Sequence, residues 1–258
     1  MEIFFISLVA LVFGSFASCI SHRMAIGESW VFVRSKCLKC NKILSVKNLI
    51  PLFSWIFQKG KCRNCKEKIS WRYPLIELLF LGSFLAIFFI NHQIINAKFI
   101  FICLIATILI IMSIIDIEKY FIPDIMQTAL LIVVVALVYF DDGFATIHLN
   151  ILAGVAFMSF LMALYFLFYI AIKRAAIGND DIKIMFTIGF AIGFSKFLSF
   201  IFLTGIFGII FGSIWIKLKK DDAFPFAPAL SLSFLTCLLI DKNFSFEKVV
   251  DLMILSIS

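Results

Sequence analysis

Long apolar runs separated by polar stretches are the feature of this sequence that most limits its fold. The runs lie at about 3–21, 74–90, 99–115, 125–140, 149–172, 183–195, 197–216 and 226–240. A helix needs about 20 apolar residues to cross a bilayer, and most of these runs are close to that length. Because 63% of the 258 residues are hydrophobic and only 15% are charged, one water-soluble core cannot bury this surface. We therefore predict an all-α integral membrane protein with about eight transmembrane helices.

The basic residues are distributed unevenly between the loops that join these runs. Of the 23 Lys and Arg residues, 19 fall in the odd-numbered loops and four in the even-numbered ones. Cytoplasmic loops of membrane proteins carry the excess of basic residues, so the odd-numbered loops are predicted to be cytoplasmic. The only charge before the first run is Glu2, whereas a cleaved signal peptide begins with basic residues. Residues 1–22 are therefore predicted to be a retained first transmembrane helix.

The first loop is a polar insert that contains four of the seven cysteines. Cys37 and Cys40 form one CxxC pair, Cys62 and Cys65 form another, and 21 residues separate the pairs. Four thiolates with this spacing are typical of a structural zinc ribbon. Two disulfides are the alternative, and the reducing cytoplasm disfavours them. The sequence thus predicts a structural zinc ion held by these four cysteines.

The insert is also strongly basic, with 12 Lys and Arg residues between Arg23 and Arg72. Beside a membrane such residues interact with anionic lipid headgroups, each contributing about 1 kcal/mol. We therefore predict membrane lipid, and not nucleic acid, as the partner of this charge.

The predicted regions are a first transmembrane helix at 1–22, a cytoplasmic zinc-binding loop at 23–73 and a multi-span membrane domain at 74–258.

Aspartates lie at the boundaries of two predicted spans. Asp116 closes the third apolar run, and Asp180 and Asp181 precede the sixth. Ionisable groups at such positions are costly and are functional candidates. Two aspartates in a partly dry cleft share one proton because like charges cannot both ionise cheaply. Such a pair can activate a water and protonate a leaving amine, which is aspartyl-type peptide hydrolysis. The alternative is that these residues only cap helices, a role that suits Asp124 after Pro123.

Several motifs, in this order along the chain, resemble those of the type IV prepilin peptidase family. They are Gly14-Ser-Phe, the paired CxxC, Arg72-Tyr-Pro-Leu-Ile-Glu77, Asp116 followed by Ile122-Pro123-Asp124, Gly178-x-x-Asp181-x-Lys183 and Pro225-Phe-x-Pro228. The resemblance covers nearly the whole chain. It implies a bacterial inner-membrane peptidase with eight spans and a zinc-binding loop. The zinc-binding loop and the catalytic loops are then expected on the cytoplasmic side. Members of this family cut the basic leader from type IV prepilins or pseudopilins, in which an apolar helix follows the leader.

By this resemblance, Asp116 and Asp181 match the catalytic aspartates, and Gly178 and Lys183 match supporting positions. Many members also methylate the new N-terminal residue with S-adenosylmethionine, but no motif here locates a site for that cofactor. Two positions depart from the family pattern. Asp180 replaces the second glycine of GxGD, and it would be the catalytic member if the register slipped by one residue. Ala227 replaces the usual glycine in the last motif.

Two other functional classes remain open at the level of the sequence. One is a proton- or cation-coupled transporter that uses Glu77, Asp116 and Asp181 as intramembrane carboxylates. No internal repeat, common in such folds, is visible. The other is a non-catalytic zinc-ribbon assembly factor, in which the aspartates would be dispensable. The particular prepilins and the oligomeric state are not encoded in any of these motifs.

Overall fold

A computed structural model describes residues 1–29, 34–173, 178–219 and 224–240. These residues form nine α-helices and no extended strand, with only two isolated β-bridges in the insert. The helices are α1 (Glu2–Ala25), α2 (Phe53–Phe57), α3 (Arg72–Ile90), α4 (Ala97–Lys119), α5 (Asp124–Asp142), α6 (Ile147–Ile172), α7 (Asn179–Ile192), α8 (Phe197–Lys219) and α9 (Ala227–Leu239). The chain divides into two compact units, Met1–Ile95 and Asn96–Ser258.

Each of the eight predicted apolar runs coincides with a helix. Six helices, namely α1, α3, α4, α5, α6 and α8, are long and apolar enough to cross a membrane. Helices α7 and α9 have 14 and 13 residues, which makes them only about 20 Å long against a bilayer core of about 30 Å. The prediction of an all-helical, multi-pass membrane protein is confirmed, with six candidate spans among the described residues in place of the eight expected.

Other predictions are not tested by the fold. The division into regions 1–22, 23–73 and 74–258 stays a prediction, as does the orientation across the membrane. Four of the basic residues that enter the orientation count, Arg174, Lys220, Lys242 and Lys248, lie outside the described residues.

Two helices extend beyond the apolar runs that predicted them, and this places the boundary aspartates inside helices. Helix α4 continues to Lys119, so Asp116 lies in its last turn. Helix α7 begins at Asn179, and Asp180 and Asp181 lie in its first turn, where acidic side chains are favoured by the helix dipole. Its C-cap is Gly193, whose φ of +68° is a backbone conformation suited to glycine.

In the first unit, α1 packs against α3 at a close approach. A Cβ on Gly14 would lie 2.8 Å from the Cα of Glu77, so only glycine allows these backbones to come so near. The guanidinium of Arg72 donates to the Ser18 carbonyl at 2.9 Å and to the Ser21 hydroxyl at 2.7 Å. These bonds join the beginning of α3 to the end of α1, and both ends of the insert are thereby held together.

In the second unit, α4 packs against α5 and α9, and α7 packs against α5, α6 and α9. Leu109, Met112 and Ile115 of α4 are completely buried, which makes α4 a central helix of this unit. A Cβ on Gly189 of α7 would lie 2.7 Å from the Phe157 ring of α6, so these helices also meet closely. The packing brings the end of α4 and the beginnings of α7 and α9 into one region.

Candidate active site and candidate metal centre

The second unit brings Asp116 and Asp181 together, although they are far apart in the sequence. Their residues are only 7% and 9% exposed, and the charge of Asp116 acts directly on the Asp181 carboxylate. The Oδ2 atom of Asp116 accepts a hydrogen bond from the Ala227 backbone N–H at 2.9 Å. Two buried carboxylates from different helices therefore lie close enough to interact electrostatically.

Gly178 leaves room for the Asp181 carboxylate. It is the N-cap of α7 with an extended backbone (φ −71°, ψ 143°), and a Cβ there would lie 3.0 Å from the Asp181 Oδ2 atom. The Asp181 carboxylate is also hydrogen-bonded to the Gly178 backbone. A side chain at the third helical position that reaches back to the N-cap forms half of a capping box. The same contact that caps α7 fixes the direction of Asp181.

Asp180 has partners of its own at the beginning of α7. Its Oδ2 accepts the Ile122 N–H at 3.2 Å, and its Oδ1 lies 3.5 Å from the Lys183 ammonium. Asp180 also acts electrostatically on Asp116. It lies within the helix and is not among the residues with positive φ, so the conformational freedom of glycine is not needed at this position.

Lys183 bridges two carboxylates at the beginnings of α5 and α7. Its Nζ atom lies 2.7 Å from the Asp124 Oδ1 and 3.5 Å from the Asp180 Oδ1. Asp124 lies in the first turn of α5, as the dipole preference predicts, and its carboxylate pairs with Lys183. The Lys183 and Asp124 side chains are 53% and 80% exposed, and such exposed pairs contribute little to stability.

The buried Glu77 of α3 belongs to the first unit and serves the insert. Its Oε2 accepts the backbone N–H of Leu52 at 2.7 Å. Leu52 has a positive φ of 56° and precedes the short helix α2. The carboxylate therefore holds a strained turn of the insert against α3.

Each CxxC pair forms a knuckle with the same backbone hydrogen bonds. In the first knuckle, residues 36–43, the Cys37 N–H donates to the Lys42 carbonyl and the Asn41 N–H donates to the Cys37 carbonyl. The second knuckle, residues 61–68, repeats both bonds from Cys62 and Lys66. Asn41 and Lys66 both have positive φ. This repeated turn aims two sulfur atoms of each knuckle in one direction.

The four cysteine sulfur atoms lie at distances that fit a metal ion. All four are within 4.8 Å of one another, and the Sγ atoms of Cys37 and Cys65 are 3.8 Å apart. A tetrahedral zinc–thiolate site with bonds of about 2.3 Å also places its sulfur atoms about 3.8 Å apart. The cluster of Cys37, Cys40, Cys62 and Cys65 can therefore hold a metal, as the spacing predicts.

Hydrogen bonds around the cluster favour the thiolate at two of the four cysteines, Cys40 and Cys62. The Lys42 backbone N–H and the Asn64 side chain donate to Cys40 and lower the pKa of its thiol to about 6. Backbone N–H groups of Cys65 and Asn64 lower the pKa of Cys62. At Cys65, the hydrogen bond from the Glu67 backbone is outweighed by desolvation and by the other three cysteine thiols, which raise the pKa to about 11. Asn64 also accepts from the Lys42 ammonium at 3.0 Å, which ties the two knuckles together. A cysteine cluster with this donor set is suited to a divalent cation.

The hydrogen bond from the Ala227 backbone N–H to Asp116 is a contact at the candidate site that the sequence alone did not reveal. The motif Pro225-Phe-x-Pro228 does not indicate that the backbone N–H of Ala227 is directed at Asp116. A hydrogen bond between residues so distant in the chain leaves no local pattern. Such a contact becomes visible only when α4 and α9 are packed together.

Comparisons with known proteins show which family the chain resembles. Residues 8–91 match the bacterial peptidase A24 N-terminal domain, and residues 103–213 match the type IV leader peptidase family. A prepilin leader peptidase/N-methyltransferase of Bacillus subtilis is 31% identical over 87% of this chain and 88% of its own length. One from Neisseria gonorrhoeae is 31% identical over 77% of this chain and 68% of its own length. One from Pectobacterium carotovorum is 27% identical, over 73% of this chain and 66% of its own length. No solved structure matches the chain.

The candidate membrane spans and these matches define a multi-pass membrane protein of a peptidase class. More particularly, the chain belongs to the type IV leader peptidase family. The predicted family and the prediction of an enzyme are thus confirmed, and the transporter alternative is not favoured.

Proposed function

We propose that this protein is an aspartyl endopeptidase that removes the basic leader from type IV prepilins or pseudopilins, with Asp116 and Asp181 as the catalytic pair. The observation that carries the proposal is the placement of two buried carboxylates, from α4 and α7, in electrostatic range of each other. The printed names of the relatives, prepilin leader peptidase/N-methyltransferase, support the substrate.

The two carboxylates share one proton and divide the chemistry between them. The ionised member takes a proton from a water whose oxygen adds to the peptide carbonyl carbon. The protonated member donates its proton to the amine nitrogen as the C–N bond breaks. Backbone hydrogen bonds hold both carboxylates in place, from Ala227 to Asp116 and from Gly178 to Asp181. Lys183 and Asp180 support the pair by fixing the beginning of α7.

The proposed topology has eight membrane segments in the bacterial inner membrane, with α7 and α9 as two short segments beside the six candidate spans. The excess of basic residues in the odd-numbered loops supports a cytoplasmic position for the insert and the site. A basic leader would then stay in the cytoplasm while the apolar helix behind it lies in the bilayer. The scissile bond falls at the membrane boundary, where the ends of α4 and α7 carry the carboxylates.

In this proposal the insert holds one zinc ion through Cys37, Cys40, Cys62 and Cys65. The ion supplies folding energy to a segment that has little core of its own.

The relatives' names also support N-methylation of the new terminus with S-adenosylmethionine. The described residues contain no Gly-rich βαβ unit, so we assign no residue to that cofactor. Membrane lipid is the proposed partner of the basic insert, and no nucleic acid is proposed.

Leader cleavage of a co-expressed prepilin by Asp116→Asn and Asp181→Asn tests the proposal. Asparagine at position 116 still accepts the Ala227 N–H, so the cap of α9 is kept while the charge is lost. We expect cleavage to fall roughly 10²- to 10⁴-fold in each variant, with unchanged thermal stability. Asp141→Asn is the matched control, since Asp141 pairs with Lys98 at the far end of α5. Wild-type cleavage by both site variants would contradict the proposal.

A variant set also separates the other functional classes. A zinc-ribbon assembly factor would lose function when the four cysteines are replaced and keep it without either aspartate. A transporter would show proton flux in liposomes that disappears in Asp116→Asn, with no cleaved prepilin in any variant.

A further inference from the structure

An apolar cleft of about 500 Å³ opens on the second unit, between α6, α7, α8 and α9. It lies along α8 from Phe200 to Ile216, a length of about 24 Å at 1.5 Å per helical residue. Helix α8 is the least buried of the candidate spans, so the cleft faces the lipid side of this unit. A cleft of this size accommodates side chains along one face of a helix, not a whole helix.

One end of the cleft adjoins the candidate catalytic pair. Met185 lines the cleft one helical turn after Asp181 on α7. Phe226 also lines it and directly precedes Ala227, whose N–H donates to Asp116. The cleft therefore runs from the two carboxylates along a membrane span.

Glycines of α8 form much of the floor of the cleft. A Cβ on Gly205 would meet no atom of the described residues within 4 Å, and for Gly208 and Gly212 the nearest atoms, on Phe226 and Phe224, are 3.5 Å away. Small residues let a second helix approach closely in a membrane. Gly205 thus borders open space, whereas at Gly208 and Gly212 the phenylalanine rings already lie at van der Waals distance from a Cβ.

Thr204 points to an occupant that carries a polar group. It lines the cleft and is only 8% exposed. Its Oγ1 atom is buried and has no hydrogen-bond partner within the described part of the chain. Buried hydroxyls are nearly always paired, because an unpaired one is costly. A saturated acyl chain offers no partner, whereas a peptide helix offers side-chain or carbonyl groups.

We propose that the cleft binds one face of the apolar helix that follows the scissile bond of the substrate. This inference rests on the proposed peptidase function. A substrate whose scissile bond lies at Asp116 and Asp181 must continue directly into its apolar helix. The cleft begins at that point and continues into the bilayer, with glycines for close packing and one hydroxyl for a polar contact.

Steady-state cleavage of two substrates by Gly205→Leu tests the docking surface. One substrate is a full prepilin in detergent, and the other is a peptide that spans the leader and the scissile bond but lacks the apolar helix. The leucine would fill open space in the cleft, so we expect KM for the full prepilin to rise on the order of tenfold or more, with kcat unchanged. Cleavage of the short peptide should stay at the wild-type level.

Two further variants make this test specific. Gly82→Leu is the matched control, because Gly82 also lies on a candidate span, outside the cleft, and no atom of the described chain is within 4 Å of its Cβ position. It should behave as wild type. Thr204→Val removes the hydroxyl at nearly constant volume and should raise KM for the full prepilin roughly threefold to tenfold. Wild-type kinetics of Gly205→Leu on both substrates, or an equal loss on both, would overturn the proposal.

A binding experiment that does not need cleavage separates this proposal from the proposed function. A photoreactive amino acid at Ile209, which lines the cleft, is placed in the Asp116→Asn background with a full prepilin in native-lipid nanodiscs. We expect crosslinks to the apolar helix of the prepilin. Crosslinks to lipid alone would overturn the docking proposal. Crosslinks to the prepilin helix, with no cleavage by the wild-type protein, would keep the docking surface and contradict the peptidase function.

Discussion

The carboxylate of Asp116 accepts a hydrogen bond from the backbone N–H of Ala227 at 2.9 Å. Ala227 is the first residue of α9, and the N-cap residue Phe226 makes no side-chain capping bond. A residue of α4 therefore caps α9 from outside the helix. The contact uses only the backbone of Ala227, which explains how alanine can stand where the resembling motif has glycine.

Ala227→Gly should keep leader cleavage within about twofold of wild type, because the N–H donor remains. The loss of a buried methyl and of helix propensity should lower stability by about 1 kcal/mol. Ala227→Leu should reduce leader cleavage. Ala227 is completely buried, so a larger side chain would displace the N–H from Asp116. Cleavage assays and thermal unfolding of both variants check this. Equal cleavage by the two would show that the donor position is unimportant.

The choice between Asp180 and Asp181 is also open to test. Asp180 bonds to the Ile122 N–H and to Lys183, and Asn in its place keeps an acceptor for Ile122. We expect Asp180→Asn to retain most of the activity, and Asp180→Gly, which loses both contacts that fix the beginning of α7, to retain less. Asp181→Asn should lose roughly 10²- to 10⁴-fold in kcat. The reverse order of the two asparagine variants would assign catalysis to Asp180.

The helices themselves were predictable because lipid imposes a simple rule on sequence. Eight apolar runs gave eight helices, but their ends were not set by hydropathy. Asp116 and Asp181 lie within helices beyond the apolar runs, because the helix continues into the polar boundary. The short α2 of the insert was not predicted, since Phe53–Phe57 is too brief for a periodic pattern.

The cysteine knuckles could be predicted from the sequence, whereas the polar group in the cleft could not. The knuckles were predictable because Cys37 and Cys40 lie on one tight turn and their chemistry is local. The Thr204 hydroxyl, which has no hydrogen-bond partner among the residues that the structure describes, was not predictable, because any membrane helix contains such residues. Burial and the loss of a partner arise only from the packing of α8 against its neighbours.

The metal centre predicts a measurable dependence on Asn64. This residue donates to the Cys40 sulfur at 3.6 Å and accepts from Lys42. Loss of such an outer contact typically weakens metal binding roughly 10- to 100-fold, so we expect that decrease in zinc affinity for Asn64→Ala. Metal analysis of the purified protein should find about one zinc ion per chain. Lys47→Ala, in the same insert but outside both knuckles, is the control.

An outcome with no metal and four freely alkylated thiols would contradict the zinc site. Protection of the thiols that is lost with a reductant, and not with a chelator, would instead indicate two disulfides. Both measurements use the intact protein in detergent.

Substitution of Gly14 tests whether the first motif has a packing role or a catalytic role. Its Cβ position lies 2.8 Å from the Glu77 Cα, a backbone atom that cannot rotate away. Gly14→Ala should therefore force α1 and α3 apart and lower stability by about 1–3 kcal/mol. Gly82→Ala, on α3 with open space around it, should leave stability unchanged or slightly raised. Thermal unfolding in detergent compares the two. Similar melting temperatures would show that α1 and α3 do not need this close approach, and loss of kcat by Gly14→Ala without loss of stability would indicate a direct role in the reaction.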